Sequence, residues 1–151
     1  MPAHTDMKLF PHYRARQLYD LVADVTRYPE FLPWVKAVRI AEQGEAHFIA
    51  DVVVQFKGIT EQYRCRADLA APDDEAGREG SIIVSLIKGP FHHLSNDWRF
   101  TPSQSGGCEL RFAVDFQFKI PLLDRLIGGL FDRATSKMVD AFEMRAQQLY
   151  G

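Results

Sequence analysis

The sequence has little of what marks catalytic and metal-bearing proteins. It holds two cysteines, Cys65 and Cys108, in 151 residues. Neither belongs to a Cys-x-x-Cys pair, so no zinc or dithiol motif is written in the chain, and both read as buried free thiols. The only adjacent histidines are His92 and His93. On a strand they point to opposite faces and cannot share a metal without a bulge. There is no Gly-x-x-x-x-Gly-Lys loop, no Gly-x-Gly-x-x-Gly and no Gly-x-Ser-x-Gly elbow, so neither a nucleotide cradle nor a hydrolase nucleophile is signalled. Uncharged apolar runs are short, as in Ser81 to Ile87 and Leu126 to Phe131. A membrane span needs about 20 such residues. The first six residues lack the apolar core of a secretory signal. The expectation is a cytoplasmic protein, peripheral to the inner membrane. An excess of positive charge is also missing: 18 Lys and Arg stand against 20 Asp and Glu, a net charge of −2. DNA is therefore not an expected partner, although a local basic patch stays open.

What the chain does have is aromatic side chains, with 11 Phe, 5 Tyr and 2 Trp. That is enough to line a cavity as well as fill a core. The length fits a single domain over 1–151, able to bury a core without disulfides. Residues 5–10 read as a short first strand. Arg14 to Val25 reads as a helix, because Leu18, Leu21, Val22 and Val25 recur at three- and four-residue steps. One short helical turn is expected between Pro29 and Pro33. From Val35 the period becomes two. Phe48, Ala50, Val52, Val54 and Phe56 share a face, as do Tyr63, Cys65, Ala67 and Leu69, with polar residues between them. Such alternation marks antiparallel strands with one wet face. Strands follow over Ser81 to Lys88, Phe91 to Phe100 and Cys108 to Lys119, broken by Gly89-Pro90 and by a turn over Pro102 to Gly107. Pro121 then opens a long helix whose apolar stripe, from Leu122 to Leu149, must pack on the sheet. Gly128-Gly129 interrupts it, each glycine costing about 1 kcal/mol relative to Ala. The pair reads as a kink, a close backbone approach, a lid that bends, or merely tolerated glycines. The expected architecture is α+β: about six or seven antiparallel strands curled around a long C-terminal helix, with two short helices after the first strand.

Few polar residues sit on the apolar faces. Glu61 precedes Tyr63 and Cys65 by the strand period, and Asn96 lies between Leu94 and Trp98. Either these reach solvent or satisfy a local bulge, or Asn96 and Tyr63 point into a cavity and bond a polar ligand group. A single unpartnered carboxylate is weak evidence for acid–base catalysis, so no catalytic residue and no metal ligand is assigned.

Three segments resemble the coenzyme Q-binding START-like family, over nearly the whole chain. Asp24-Val25-Thr26-Arg27-Tyr28-Pro29-Glu30-Phe31-Leu32-Pro33-Trp34 is similar to its D-V-x-x-Y-P-x-F-L-P-W signature. Lys88-Gly89-Pro90-Phe91 with Leu94, Asn96, Trp98 and Phe100, and Val114 to Phe118 leading into Pro121-Leu122-Leu123, resemble its second and third motifs. Val35 and His92 depart from residues common in that family, a Cys and a Lys. The resemblance implies the helix-grip (START/Bet v 1-like) fold of the polyketide cyclase and lipid-transfer superfamily. It implies a non-enzymatic protein that binds ubiquinone, or a similar prenylquinone or lipid, as a chaperone for respiratory electron transport. Relatives also include a ribosome association toxin that blocks joining of ribosomal subunits, so a ribosome partner is the alternative; a cyclase-like enzyme in the same cavity is another. Under the quinone reading the tail would lie between sheet residues Val52, Val54, Phe56, Phe112, Val114 and Phe116 and helix residues Leu122, Leu126 and Leu130. Leu94 and Trp98 complete the wall, and Tyr63 and Asn96 are placed to bond head-group oxygens. A dry, filled core is the competing account. Phe31, Leu32 and Trp34 would border the mouth and touch a membrane surface transiently during loading. For the ribosome reading the candidates are Arg64 and Arg66 on one wet face, with Arg111.

Overall fold

The computed structural model describes residues 3–151. In chain order it runs β1 (Ala3–Phe10), α1 (Ala15–Ala23), a 3-10 segment (Val25–Glu30), β2 (Val35–Gln43), β3 (His47–Phe56), β4 (Ile59–Ala70), β5 (Gly80–Lys88), β6 (Phe91–Pro102) and β7 (Cys108–Phe118). Four helical pieces follow: α2 (Pro121–Leu123), a π-turn (Asp124–Gly128), α3 (Gly129–Ser136) and α4 (Met138–Tyr150). The strands form one antiparallel sheet ordered β1-β7-β6-β5-β4-β3-β2. Strands β2 to β7 are a meander. The α1 crossing carries the chain from β1, beside β7, to the opposite edge.

The period-two pattern explains which face is dry. On β7, Cys108, Leu110, Phe112, Val114, Phe116 and Phe118 are buried, while alternate residues face out. On β3, Phe48, Ala50, Val54 and Phe56 point inward, and Val52 shares their side with partial exposure. The C-terminal helix lies against this inner face. Phe131 of α3 sits at the centre, with ring neighbours Phe116 at 4.4 Å, Phe91 and Phe118 at 5.7 Å, Phe56 at 5.9 Å and Trp34 at 6.1 Å. These rings come from both halves of the sheet, so the sheet wraps around one helical residue.

Three elements differ from the sequence expectations. The long helix is segmented. It includes a π-turn ending at Gly128, and it breaks again at Lys137 (φ −105°). Just before that break, Thr135 Oγ1 donates to the Phe131 and Asp132 carbonyls and Ser136 Oγ to Arg133. Such back-bonding competes with the helical ladder and bends helices. The stripe is also narrower than its apolar residues imply. Ile127, Phe131, Met138, Val139, Phe142 and Ala146 face the sheet, whereas Leu122 and Leu126 are 54% and 50% exposed. The π-turn advances more residues per turn than an α-helix, so a 3.6-residue wheel drawn from Pro121 misassigns them. Finally, the helical turn of the proline segment lies over Val25–Glu30, around Pro29, rather than between the two prolines.

Candidate functional site

The motif Asp24 to Trp34 acts as a buckle. Tyr28 donates its hydroxyl to the Val22 carbonyl, which ties the 3-10 segment to the end of α1. The Tyr28 and Phe31 rings meet Phe142 of α4 edge-on, at 5.4 and 5.1 Å. Arg145 lies 5.1 Å over the Phe31 ring and pairs with Glu30. Arg27, and then Arg145, holds the Glu30 carboxyl below the ordinary carboxylate range. Leu32 is buried, and Trp34 stacks on Phe56 at 5.7 Å. The segment thus joins α1, the C-terminal helix and the β2–β3 edge.

Behind this buckle, between the sheet and the start of α4, lies an apolar cavity of about 70 Å³. An engineered cavity of about 150 Å³ takes benzene, and ligand pockets run to roughly 300–1,000 Å³. The space is too small for a quinone ring unless its walls part. Of the residues expected around a ligand, Trp34, Val52, Tyr63, Asn96 and Trp98 line it. Val54, Phe56, Leu94, Phe112, Val114 and Phe116 are buried in packed core beyond it, as is Leu32. Phe31 and Leu130 are half-buried and pack against that core, while Leu122 and Leu126 face outward. The cavity therefore sits nearer β4 and β5 than the sequence argument placed it. Tyr28, Val35, Cys65 and Met138 are among the other residues of the wall, which also draws on α1 and on β2 to β5. The period-two pattern already put Cys65 on the face of Tyr63, and Met138 belongs to the C-terminal apolar stripe, although the helix break that precedes it was not expected.

Two polar groups face this space. Asn96 Oδ1 is buried with no hydrogen-bond partner among the described residues. Tyr63 Oη makes none among them either, and burial drives its ionisation far above the ordinary range. Burial also pushes the Cys65 thiol up to about 11, so it stays protonated and unreactive near neutrality. Gly89 has a steric reason to be glycine: a Cβ there would lie 2.5 Å from Tyr63 Cβ. No Asp, Glu, His, Lys or Arg lines the cavity. Its wall is apolar, with hydrogen-bonding capacity at Asn96.

The outer face carries the charges. Arg64 grips Asp51 through two hydrogen bonds of 2.8 and 2.9 Å, with Arg39 3.6 Å away on the other side. The Arg64 bond is the main cause holding Asp51 below its ordinary carboxylate range. Arg66 pairs with Asp68, and Arg111 with Glu79. The arginines expected to meet RNA are thus each already bound to a carboxylate. The unpaired cations are elsewhere. Lys36 at the start of β2, Lys57 in the β3–β4 turn, Lys88 at the end of β5, Lys119 after β7 and Arg125 in the π-turn form no ion pair among the described residues. The strand registers bring the four lysines to one end of the molecule, while Arg14 and Arg78, also unpaired among the described residues, lie at the other. At the other end lie Glu42, Glu45, Asp73, Asp74, Glu75 and Glu109. At the basic end a surface groove of about 790 Å³ runs past Arg39, Asp51, Glu61, Gln62, Arg64, Lys88 and Lys119.

A seven-stranded antiparallel sheet closed over a C-terminal helix, with an apolar cavity between them, defines the helix-grip class of lipid-cavity proteins. The chain belongs to the polyketide cyclase / dehydrase and lipid transport family, whose model matches residues 11–143. It is 39% identical over 142 residues to the ribosome association toxin RatA of Rickettsia prowazekii, covering 94% of each chain. It is 32% identical over 143 residues to the coenzyme Q-binding protein COQ10 homolog B of Xenopus laevis, covering 92% of this chain and 56% of that protein. The solution structure of an 18 kDa protein from Caulobacter crescentus superposes with a TM-score of 0.71 at 37% identity, covering 100% of this chain and 99% of that one.

Proposed function

We propose that this protein binds the ribosome and hinders joining of its subunits. One observation carries the reading: the relation to a ribosome association toxin spans 94% of both chains, whereas the coenzyme Q-binding relative is matched over only 56% of its length. The charge distribution supports it. A net charge of −2 argues against RNA contact only if charge is spread evenly, and here four unpaired lysines, Lys36, Lys57, Lys88 and Lys119, gather at one end. The test is sedimentation. Purified protein is added to dissociated subunits, magnesium is raised, and the products are separated on a sucrose gradient. The expected result is co-migration with a free subunit and a smaller joined-ribosome peak. An unchanged profile with the protein left at the top of the gradient removes the proposal.

A second reading has its own support. Asn96 Oδ1 is buried at an apolar cavity without a partner among the described residues, with Tyr63 in the same wall, as expected of a site for a prenylquinone or similar lipid. Burying one isoprene contributes on the order of 3–4 kcal/mol, enough to favour parting the wall at Met138, a flexible side chain beside the Lys137 break. On this reading the exposed Leu122 and Leu126 touch the bilayer during loading. Organic extraction and mass spectrometry of protein from its native host decides the matter: a stoichiometric prenylquinone supports the reading and its absence ends it. Vesicle flotation of Leu122→Ser and Leu126→Ser tests the membrane contact without disturbing the core. Trp34, packed between Phe56 and Phe131, is unsuitable for that purpose.

A further inference from the structure

The groove at the basic end has a chemistry that the cavity lacks. Its floor is the outer face of β2, β3 and β4, and its far wall is the β5–β6 turn with the residue that follows β7. Four cations line it, Arg39, Arg64, Lys88 and Lys119, against two carboxylates, Asp51 and Glu61. Asp51 is shared by Arg39 and Arg64, so one carboxylate offsets two guanidinium groups. Lys88 and Lys119 are exposed and unpaired among the described residues. Lys36 and Lys57 extend the positive field beyond the groove at the same end. The Gln62 amide sits among these cations, able to donate to or accept from a hydroxyl.

We propose that this groove holds the sugar–phosphate backbone of RNA, which assigns the contact surface for the ribosome reading and rests on it. A concave row of cations suits a polyanion that can be followed along its length. A bilayer instead meets convex apolar surface; of the exposed apolar residues at this end, Ile120, Leu122 and Leu126 lie outside the groove and Ile87 alone lines it, beside Lys88. Lys88 and Lys119 contact phosphates directly. Arg39 and Arg64 contribute through the charge Asp51 leaves uncompensated, and Gln62 meets the ribose 2′-hydroxyl, the group that distinguishes RNA from DNA.

Two variants bracket the idea. Lys88→Ala with Lys119→Ala removes two phosphate contacts, and Asp51→Asn releases both arginines. The probes are purified large-subunit ribosomal RNA and a short RNA duplex, titrated by fluorescence anisotropy across a salt series. Ribosome sedimentation of the same proteins runs in parallel, and near-UV circular dichroism confirms folding. The double lysine variant is expected to bind RNA at least about tenfold more weakly, with the slope of log K against log salt reduced by about 2. Asp51→Asn is expected to bind severalfold more tightly. Arg78→Glu, in the β4–β5 loop at the acidic end, is expected to change neither. Ribosome association by the wild type that survives unchanged in the groove variants overturns this surface and leaves the functional reading standing. Groove-dependent RNA binding without ribosome association upholds the surface and sinks the functional reading. No RNA binding by the wild type, or groove-dependent binding only to anionic phosphatidylserine vesicles, overturns the proposal.

Discussion

At the scale of single residues, Phe131 and Asn96 make opposite predictions. Phe131 is 2% exposed and is the ring on which both halves of the sheet converge. Truncation of such a residue costs about 3–5 kcal/mol. Phe131→Ala is therefore expected to shift the denaturant midpoint strongly downward without changing the wild-type slope greatly. Asn96 has its Oδ1 unpartnered against an apolar space. An unsatisfied buried polar group costs about 1–3 kcal/mol. Asn96→Leu is accordingly expected to stabilise the protein by about 1 kcal/mol in thermal melts; a large loss would mean that the amide is satisfied by ordered water. Asp51 adds a pH dependence. Its folded pKa lies below its ordinary value because of Arg64. The stability it contributes is present above the ordinary carboxylate pKa and is lost as pH falls through the folded value. The stability gap between wild type and Asp51→Asn should be widest near neutrality and close as pH drops below about 4. A gap that widened in acid would reverse the sign of the argument.

At the scale of elements, the strands were legible because period-two alternation is a local property of the chain: it runs from Cys108 to Lys119, and β7 ends one residue earlier, at Phe118. The helix ends were not legible. α1 begins with Arg14 in the N-cap position, a poor cap. Its first amides are instead satisfied by Asp74, whose carboxylate oxygens accept from Ala15 N at 2.9 Å and Arg16 N at 3.0 Å. The cap comes from the β4–β5 loop, so nothing near Arg14 announces it. Asp74→Ala is expected to cost about 0.5–2 kcal/mol, as loss of an ordinary cap does, and to raise hydrogen exchange in the first turn of α1. The Gly128-Gly129 pair was visible, but its meaning was not. A Cβ at Gly129 would meet nothing within 4 Å, and neither glycine has a positive φ. Close packing therefore does not require Gly129. Gly129→Ala is expected to stabilise by about 0.5–1 kcal/mol in denaturant melts.

At the scale of the whole molecule, curvature decided what sequence alone could not. Alternation placed Val54, Phe112, Val114 and Phe116 on the inner face, and that is where they lie. It could not say whether the inner face stands off the helix or interlocks with it. The Phe131 cluster fills the space those residues share, and the remaining cavity falls where Tyr28, Cys65 and Met138 converge from distant parts of the chain. The outer face held the same lesson. Arg64, Arg66 and Arg111 stood out by their alternation, but carboxylates claim them: Asp51 on the neighbouring strand, Asp68 on the same strand and Glu79 in the β4–β5 loop. Lys88, Lys119 and Lys57, each beside a glycine or at a strand end, looked like ordinary turn residues.

The gathering of cations at one pole and carboxylates at the other also has a kinetic meaning. With Lys36, Lys57, Lys88 and Lys119 at one end and Glu42, Glu45, Asp73 and Glu75 at the other, such a molecule is polar along its length, and near a polyanion it is expected to feel a torque before it feels contact. It turns lysine-end first while still in solution, so a greater share of collisions are productive. Glu45→Lys with Lys57→Glu, which swaps charge between the poles at constant net charge and leaves the groove lining intact, should then slow arrival in stopped-flow measurements and leave the rate of departure nearly as it was. Equal arrival rates would mean that the protein tumbles freely until it touches.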